Sequence, residues 1–173
     1  MAETARPKAT TAGIIIRLFA AAYDLTILFG LEFLAFIPVT IVEQYTAPVP
    51  EWIKGLLLTT VAYAYFVGFW VRGATTTGMR PWKLRVAMAE SGEPVSFAAA
   101  TARFFGLMLT WLALGLTLFY MATRQTGTPL FFIAAAVPAA SLLMMLLTKR
   151  KQALHDLVAG TSIFRLQKEN AGR

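Results

Sequence analysis

The sequence predicts an all-α integral membrane protein: four transmembrane helices, with short amphipathic and strand-like segments on the cytoplasmic side. Three observations carry that prediction. Of 173 residues, 57% are hydrophobic and 14% charged, against about 45–50% and about 25% in soluble domains. Four apolar runs reach the roughly 20 residues that a bilayer core of about 30 Å requires of a helix. The sixteen Lys and Arg, set against nine Asp and Glu, gather in alternate connections, as they do in multi-pass chains. This composition excludes disorder and collagen-like repeats. With no Cys and one His, a disulfide framework and most zinc and thiol chemistry are excluded too. The expectation is a chain without cofactor, metal or enzymatic activity.

The first span covers about 13–42 and follows a cytoplasmic tail, 1–12. Its apolar run is much longer than the roughly 7–15 residues of a signal-peptide core, so it reads as a retained helix. The second covers about 52–72. Its Trp52 and Trp70 are spaced to anchor one helix at both interfaces. The third and fourth cover about 97–121 and 129–147, and Pro138 predicts a kink in the last. The small residues Ala134 to Ala136 and Ala139 to Ser141 suit close helix packing, within the chain or in a homo-oligomer.

Between the second and third spans lie Arg72, Arg80, Lys83 and Arg85, and after the fourth lie Lys149, Arg150 and Lys151. Lys54 and Arg124 are the basic residues of the alternate connections. Both termini and the central loop are therefore expected in the cytoplasm, with the 149–151 cluster facing anionic lipid headgroups. The net charge of +7 reads as topology rather than as a nucleic-acid surface.

Within the cytoplasmic pieces, Leu84, Val86 and Met88 alternate with Arg85, Ala87 and Ala89, the period of a strand. Residues 161–166, TSIFRL, have the same character, and 84–89 and 161–166 are expected to pair in a small sheet. Lys149 to Ala159 predicts a helix with Leu154, Leu157 and Val158 on one face and Gly160 as its stop. The ending, 167–173, reads as disordered. The Gly73–Arg80 loop lacks the spacing of a phosphate-binding motif and reads as a turn at the membrane exit.

Ionisable residues inside spans are costly and mark either function or a buried pair. The first span holds Arg17, Asp24 and Glu32. Asp24 falls about 16 Å along the helix, close to the bilayer centre, and Glu32 about 12 Å further. One reading is a proton or monovalent-cation relay: Asp24 as coupling carboxylate, Glu32 as an outer station, Arg17 as an inner gate. Burial favours a protonated carboxyl and a nearby guanidinium the charged form, which is how such a relay is tuned. The other reading is a structural pair between Asp24 and Arg17 or Arg103 that fastens helices. A separation of seven residues is too long for an ordinary intrahelical pair, so Asp24 is expected to find its cation on another helix or through water. Arg103 opens the third span as Arg17 opens the first, and is expected to snorkel toward lipid phosphates. His155 and Asp156 lie on the helix after the membrane. Adjacent helix residues diverge by about 100°, so no dyad between them is expected. His155 reads as a packed or capping residue, with a proton role as the alternative.

Arg17 with Asp24, the loop GATTTGMRPWKLRV and the ending RKQALHDLVAGTSI together resemble the RDD family of bacterial membrane proteins, named for one Arg and two Asp. The resemblance covers roughly 13–166 and maps those residues to Arg17, Asp24 and Asp156. It departs at Met79-Arg80, where many members have Lys directly after the glycine. It implies a multi-pass protein of the bacterial inner membrane. For some members it implies sodium– or potassium–proton antiport, and for others an accessory role beside larger membrane complexes.

Overall fold

The computed structural model describes residues 9–167. Among the described residues, four helices are long and apolar enough to cross a membrane: α1 (Ile14–Tyr45), α2 (Glu51–Gly73), α3 (Phe97–Ala122) and α4 (Pro129–Leu147). A short α5 (Leu154–Val158) and three strands, β1 (Ala9–Thr11), β2 (Leu84–Met88) and β3 (Thr161–Leu166), complete the described fold. The ends of the helices follow local chemistry. The Ser96 hydroxyl accepts from the N–H of Ala99 at the start of α3, and Thr128 does the same for Phe131 at the start of α4. Pro129 fits the first position of α4, where no N–H is needed.

The expected pairing of 84–89 with 161–166 is present. β2 and β3 run antiparallel, with Val86 opposite Ile163 and Met88 opposite Thr161. The sheet has one strand more than the sequence predicts. Residues 9–11, assigned to the N-terminal tail, form β1 on the other side of β3, with Thr10 opposite Arg165. Three residues are too few to show an alternation, which is why β1 went unseen. The 167–173 tail lies, beyond Gln167, outside the described residues.

One sheet thus collects the N-terminal segment, the α2–α3 connection and the segment after α4 at one end of the bundle, the sheet end. The buried core is concentrated there. Tyr65, Phe66, Trp70 and Phe104 of the helices pack into one cluster with Leu84, Val86 and Ile163 of the strands. Toward the far end the helices turn large apolar side chains outward: Phe29, Phe33 and Leu34 of α1, and Leu118 and Phe119 of α3. Such surfaces are what a helix offers to lipid.

The helices pack in chain order, α1 on α2, α2 on α3 and α3 on α4, with α5 wedged against α3 and α4. Contact between α1 and α4 is slight, so the row does not close into a ring. Ala134 and Ser141, two of the small residues of α4, are buried within the chain.

Candidate functional site

Two buried carboxylates organise the sheet end, and they have opposite surroundings. Asp24 is 4% exposed on α1. Its oxygens accept from the Tyr65 hydroxyl at 2.6 Å, the Thr76 hydroxyl at 2.5 Å and the Gly78 N–H at 2.7 Å. All three donors are neutral, and no ion pair reaches Asp24 among the described residues. The expected partnership with Arg17 or Arg103 is absent, because both arginines are committed elsewhere. Asp24 is also not isolated on α1. The 74–79 segment folds back from the end of α2 to meet it.

Gly78 makes that approach possible. A Cβ at this position would collide with the carbonyl oxygen of Ala20 and stand 2.7 Å from the Asp24 carboxyl carbon. The loop is therefore more than an exit turn. Its Thr76 and Gly78 reach a helix more than fifty residues away in sequence, and Met79 is buried beside them. At the departure from the RDD pattern, Arg80 lies over the Phe69 ring, 5.6 Å from its centroid.

Asp156, on α5, is fully buried. Arg17 pairs with its Oδ2 and Arg103 with its Oδ1, while the N–H of Ala153 donates to Oδ2 at 3.0 Å. Arg17 also donates to the carbonyl of Lys151, and Arg103 to the Thr161 hydroxyl at 2.8 Å. Burial alone would raise the Asp156 pKa. The charges of Arg103 and Arg17 and the Ala153 N–H outweigh it and hold the carboxyl well below the usual carboxylate range.

The α5 expectation is corrected in the same place. The helix starts at Leu154 rather than Lys149. It buries Asp156, while Leu157 and Val158 of the expected apolar face are exposed. Two guanidiniums from distant helices outweigh the apolar pattern of five residues. Gly160 ends the helix as expected, with φ at +62°.

Arg103 does not snorkel. It is 3% exposed, and its guanidinium also covers the Trp70 ring, 4.8 Å from the centroid. Trp70 is correspondingly buried at 3%, not an interfacial anchor, while Trp52 at the far end is 71% exposed. His155 packs under Gly106 of α3, where an added Cβ would stand 3.0 Å from the His155 Cβ. Its Nε2 lies 3.6 Å from Asp156 Oδ1, closer than the helical divergence predicts but outside hydrogen-bond range. Burial pushes its pKa down to about 4. Asp156 opposes that shift, while Arg103 and Arg17 reinforce it. Glu32 stands apart, beside Phe29, Phe33, Phe36 and Leu58, with no hydrogen bond or ion pair among the described residues.

Residues 11–160 match the RDD family, most of the chain. This chain belongs to the RDD family. No curated protein and no solved structure matches it, so the site is read from the geometry of this RDD protein itself. RDD membership and four helices of this length point to a multi-pass membrane protein. Of the three residues mapped to the family name, Arg17 and Asp156 bond directly, and Asp24 stands apart with neutral partners. All three lie at the sheet end.

A cavity of about 380 Å³ adjoins Arg17 and Asp24. It lies in the seam between α1 and α4, backed by α3, and Arg17, Asp24, Arg103 and His155 are among its lining residues. Sequence reasoning missed Tyr65, Thr76, Gly78 and Trp70. The signal available was Gly78 itself, since a glycine in a threonine-rich loop invites a close backbone approach.

Proposed function

We propose that this RDD protein moves monovalent cations against protons across the bacterial inner membrane, with Asp24 as the exchanging carboxylate. The observation that carries this reading is the charge state of its surroundings. Asp24 is buried, lines the cavity, and holds three neutral donors but no cation of the protein. A carboxylate kept out of water without a fixed countercharge is stabilised by a proton or by a small cation, and it alternates between them at modest cost. Asp156, with two permanent arginines, has no vacancy for either.

Charge distribution supports an orientation with the sheet end inside. Arg72, Arg80, Lys83, Arg85, Lys149, Arg150 and Lys151 all fall at or beside the sheet end. At the far end, Lys54 is matched by Glu43 and Glu51, each at 2.8 Å. That difference in basic residues is the pattern that places a segment in the cytoplasm.

The test is purified protein in liposomes carrying an imposed pH gradient. Addition of Na⁺ or K⁺ is expected to collapse the gradient, and Asp24→Asn to stop that collapse while the protein remains folded. A wild-type protein silent toward both cations refutes the reading.

A second reading is favoured by one observation: two of the three donors to Asp24 come from the 74–79 loop. Here Asp24 latches the loop to α1, and the chain serves as a non-transporting scaffold or regulatory subunit whose 79–95 segment docks a membrane partner. It requires a partner that co-purifies with the wild type and is lost when 79–95 is altered.

A further inference from the structure

The seam between α1 and α4 has a composition that cation exchange does not use. Its walls are apolar: Ala21 and Leu25 of α1, Leu107 and Leu114 of α3, Leu142 of α4. Leu25 and Leu142 are at least a third exposed, so the cavity opens sideways, where acyl chains would lie, and not only along the bundle axis. Its lining also includes buried polar side chains, Arg17, Thr76 and Arg103 among them, and it contains unmatched donors. Trp70 Nε1 and Arg103 Nε are buried and have no hydrogen-bond partner among the described residues. Both atoms are donors that cannot accept, and leaving them unpaired in a buried site is unfavourable. Both residues line this cavity. The third unmatched atom, His155 Nδ1, belongs to another lining residue.

Around Asp156 the charges do not cancel. Two arginines meet one carboxylate, leaving one formal positive charge beside those donors. Asp24 lines the same cavity from α1, where Tyr65, Thr76 and Gly78 donate to its carboxylate. The volume sits at the low end of the roughly 300–1,000 Å³ of small-molecule sites. That suits one hydrocarbon chain rather than two.

We infer that this crevice binds a single-chain amphiphile with a carboxylate head. It enters sideways from the bilayer, its chain lies against Ala21, Leu107 and Leu142, and its head accepts from Trp70 Nε1–H and Arg103 Nε–H. The site does not depend on cation exchange at Asp24, and its test reads occupancy rather than flux.

The experiment uses the full chain in phosphatidylcholine nanodiscs and a palmitate carrying a photoreactive diazirine on its chain, with cross-links located by mass spectrometry. Saturable labelling within 104–114 and 138–145 is expected. Unlabelled palmitate should compete at least tenfold better than hexadecanol, which has the same chain without the carboxylate. Ala21→Phe, which fills the crevice, should abolish labelling. Trp70→Phe, which keeps the ring and removes the N–H, should weaken it about tenfold. Leu142→Trp, at the exposed rim, replaces Ala21→Phe should that variant not fold. Unsaturable labelling spread over the outer faces of the helices overturns the inference. So does equal competition by hexadecanol, or full labelling of a folded crevice-filling variant.

Discussion

Asp24 and Asp156 lie at the same end of the molecule, both are buried, and each accepts three hydrogen bonds. They differ in what donates. Asp156 meets two guanidiniums and a backbone N–H, so its negative charge is overcompensated by fixed positive charge. Asp24 meets two hydroxyls and a backbone N–H, so its charge is solvated but not neutralised. The elements follow the same division. Asp156 ties α1, α3 and α5 together through side chains, as a clamp with two arms. Asp24 joins α1 and α2 to a loop that carries a glycine at the closest approach. One carboxylate is built to stay charged, and the other leaves room for an exchangeable cation or proton.

The largest way to break this comparison is to remove the clamp. Asp156→Ala leaves two buried arginines without a counterion, and breaking a buried pair in this way costs about 3–5 kcal/mol. The expected outcome is loss of folded protein, read as a collapse of the thermal transition in detergent. A variant of wild-type stability would equate the two carboxylates.

Acid sharpens the same contrast. Below pH 6.5 the unfolded chain protonates His155, while the folded chain refuses that proton until about pH 4. Stability is therefore expected to fall across that window, by roughly 3 kcal/mol at most, and to level off below it. The Asp156 contribution behaves differently. It is present above the unfolded carboxylate pKa near 3.8 and is lost only as pH drops further, through a folded pKa below the usual range. His155→Gln should flatten the upper part of the profile and leave the lower part unchanged, as measured by thermal unfolding at stepped pH.

At the loop, Gly78→Ala inserts a methyl group against the Ala20 carbonyl and the Asp24 carboxyl. Overpacking of this kind costs about 1–3 kcal/mol. The loop should lift, exposing the 74–79 backbone to faster hydrogen exchange while α5 retains its protection. Uniform loss of protection would mean that the two sites are one cooperative unit.

The smallest effect on stability is expected where charge alone is removed. In Asp24→Asn the amide oxygen still accepts from Tyr65 and Gly78, and the Thr76 hydroxyl rotates to accept from the new NH₂. A loss of about 1 kcal/mol is expected in thermal unfolding. A loss as large as that of Asp156→Ala would assign Asp24 to the structure alone.

The four spans and the β2–β3 pair were legible because each is a periodic or continuous pattern within one segment. Arg17, Asp24, Glu32 and Arg103 were legible as well, because charge inside an apolar run is conspicuous, and His155 and Asp156 as neighbouring titratable residues on the segment after the last span. Their pairing was not. Arg17, Arg103 and Asp156 converge from segments more than fifty residues apart, and nothing in the spacing around Arg17 points to α5. The same holds for Trp70. Its distance from Trp52 fits an aromatic belt, yet the Arg103 guanidinium brings it inside. In α5, five residues carry too weak an apolar signal to compete with two ion pairs, and the helix turned its acid inward.

The central claim, that Asp24 exchanges while Asp156 is locked, is tested most directly by proton release from the purified protein in weakly buffered detergent. Added Na⁺ or K⁺ should displace up to one proton per chain from the wild type and none from Asp24→Asn. Release of the same size from Asp24→Asn, or no release from either protein, would contradict it.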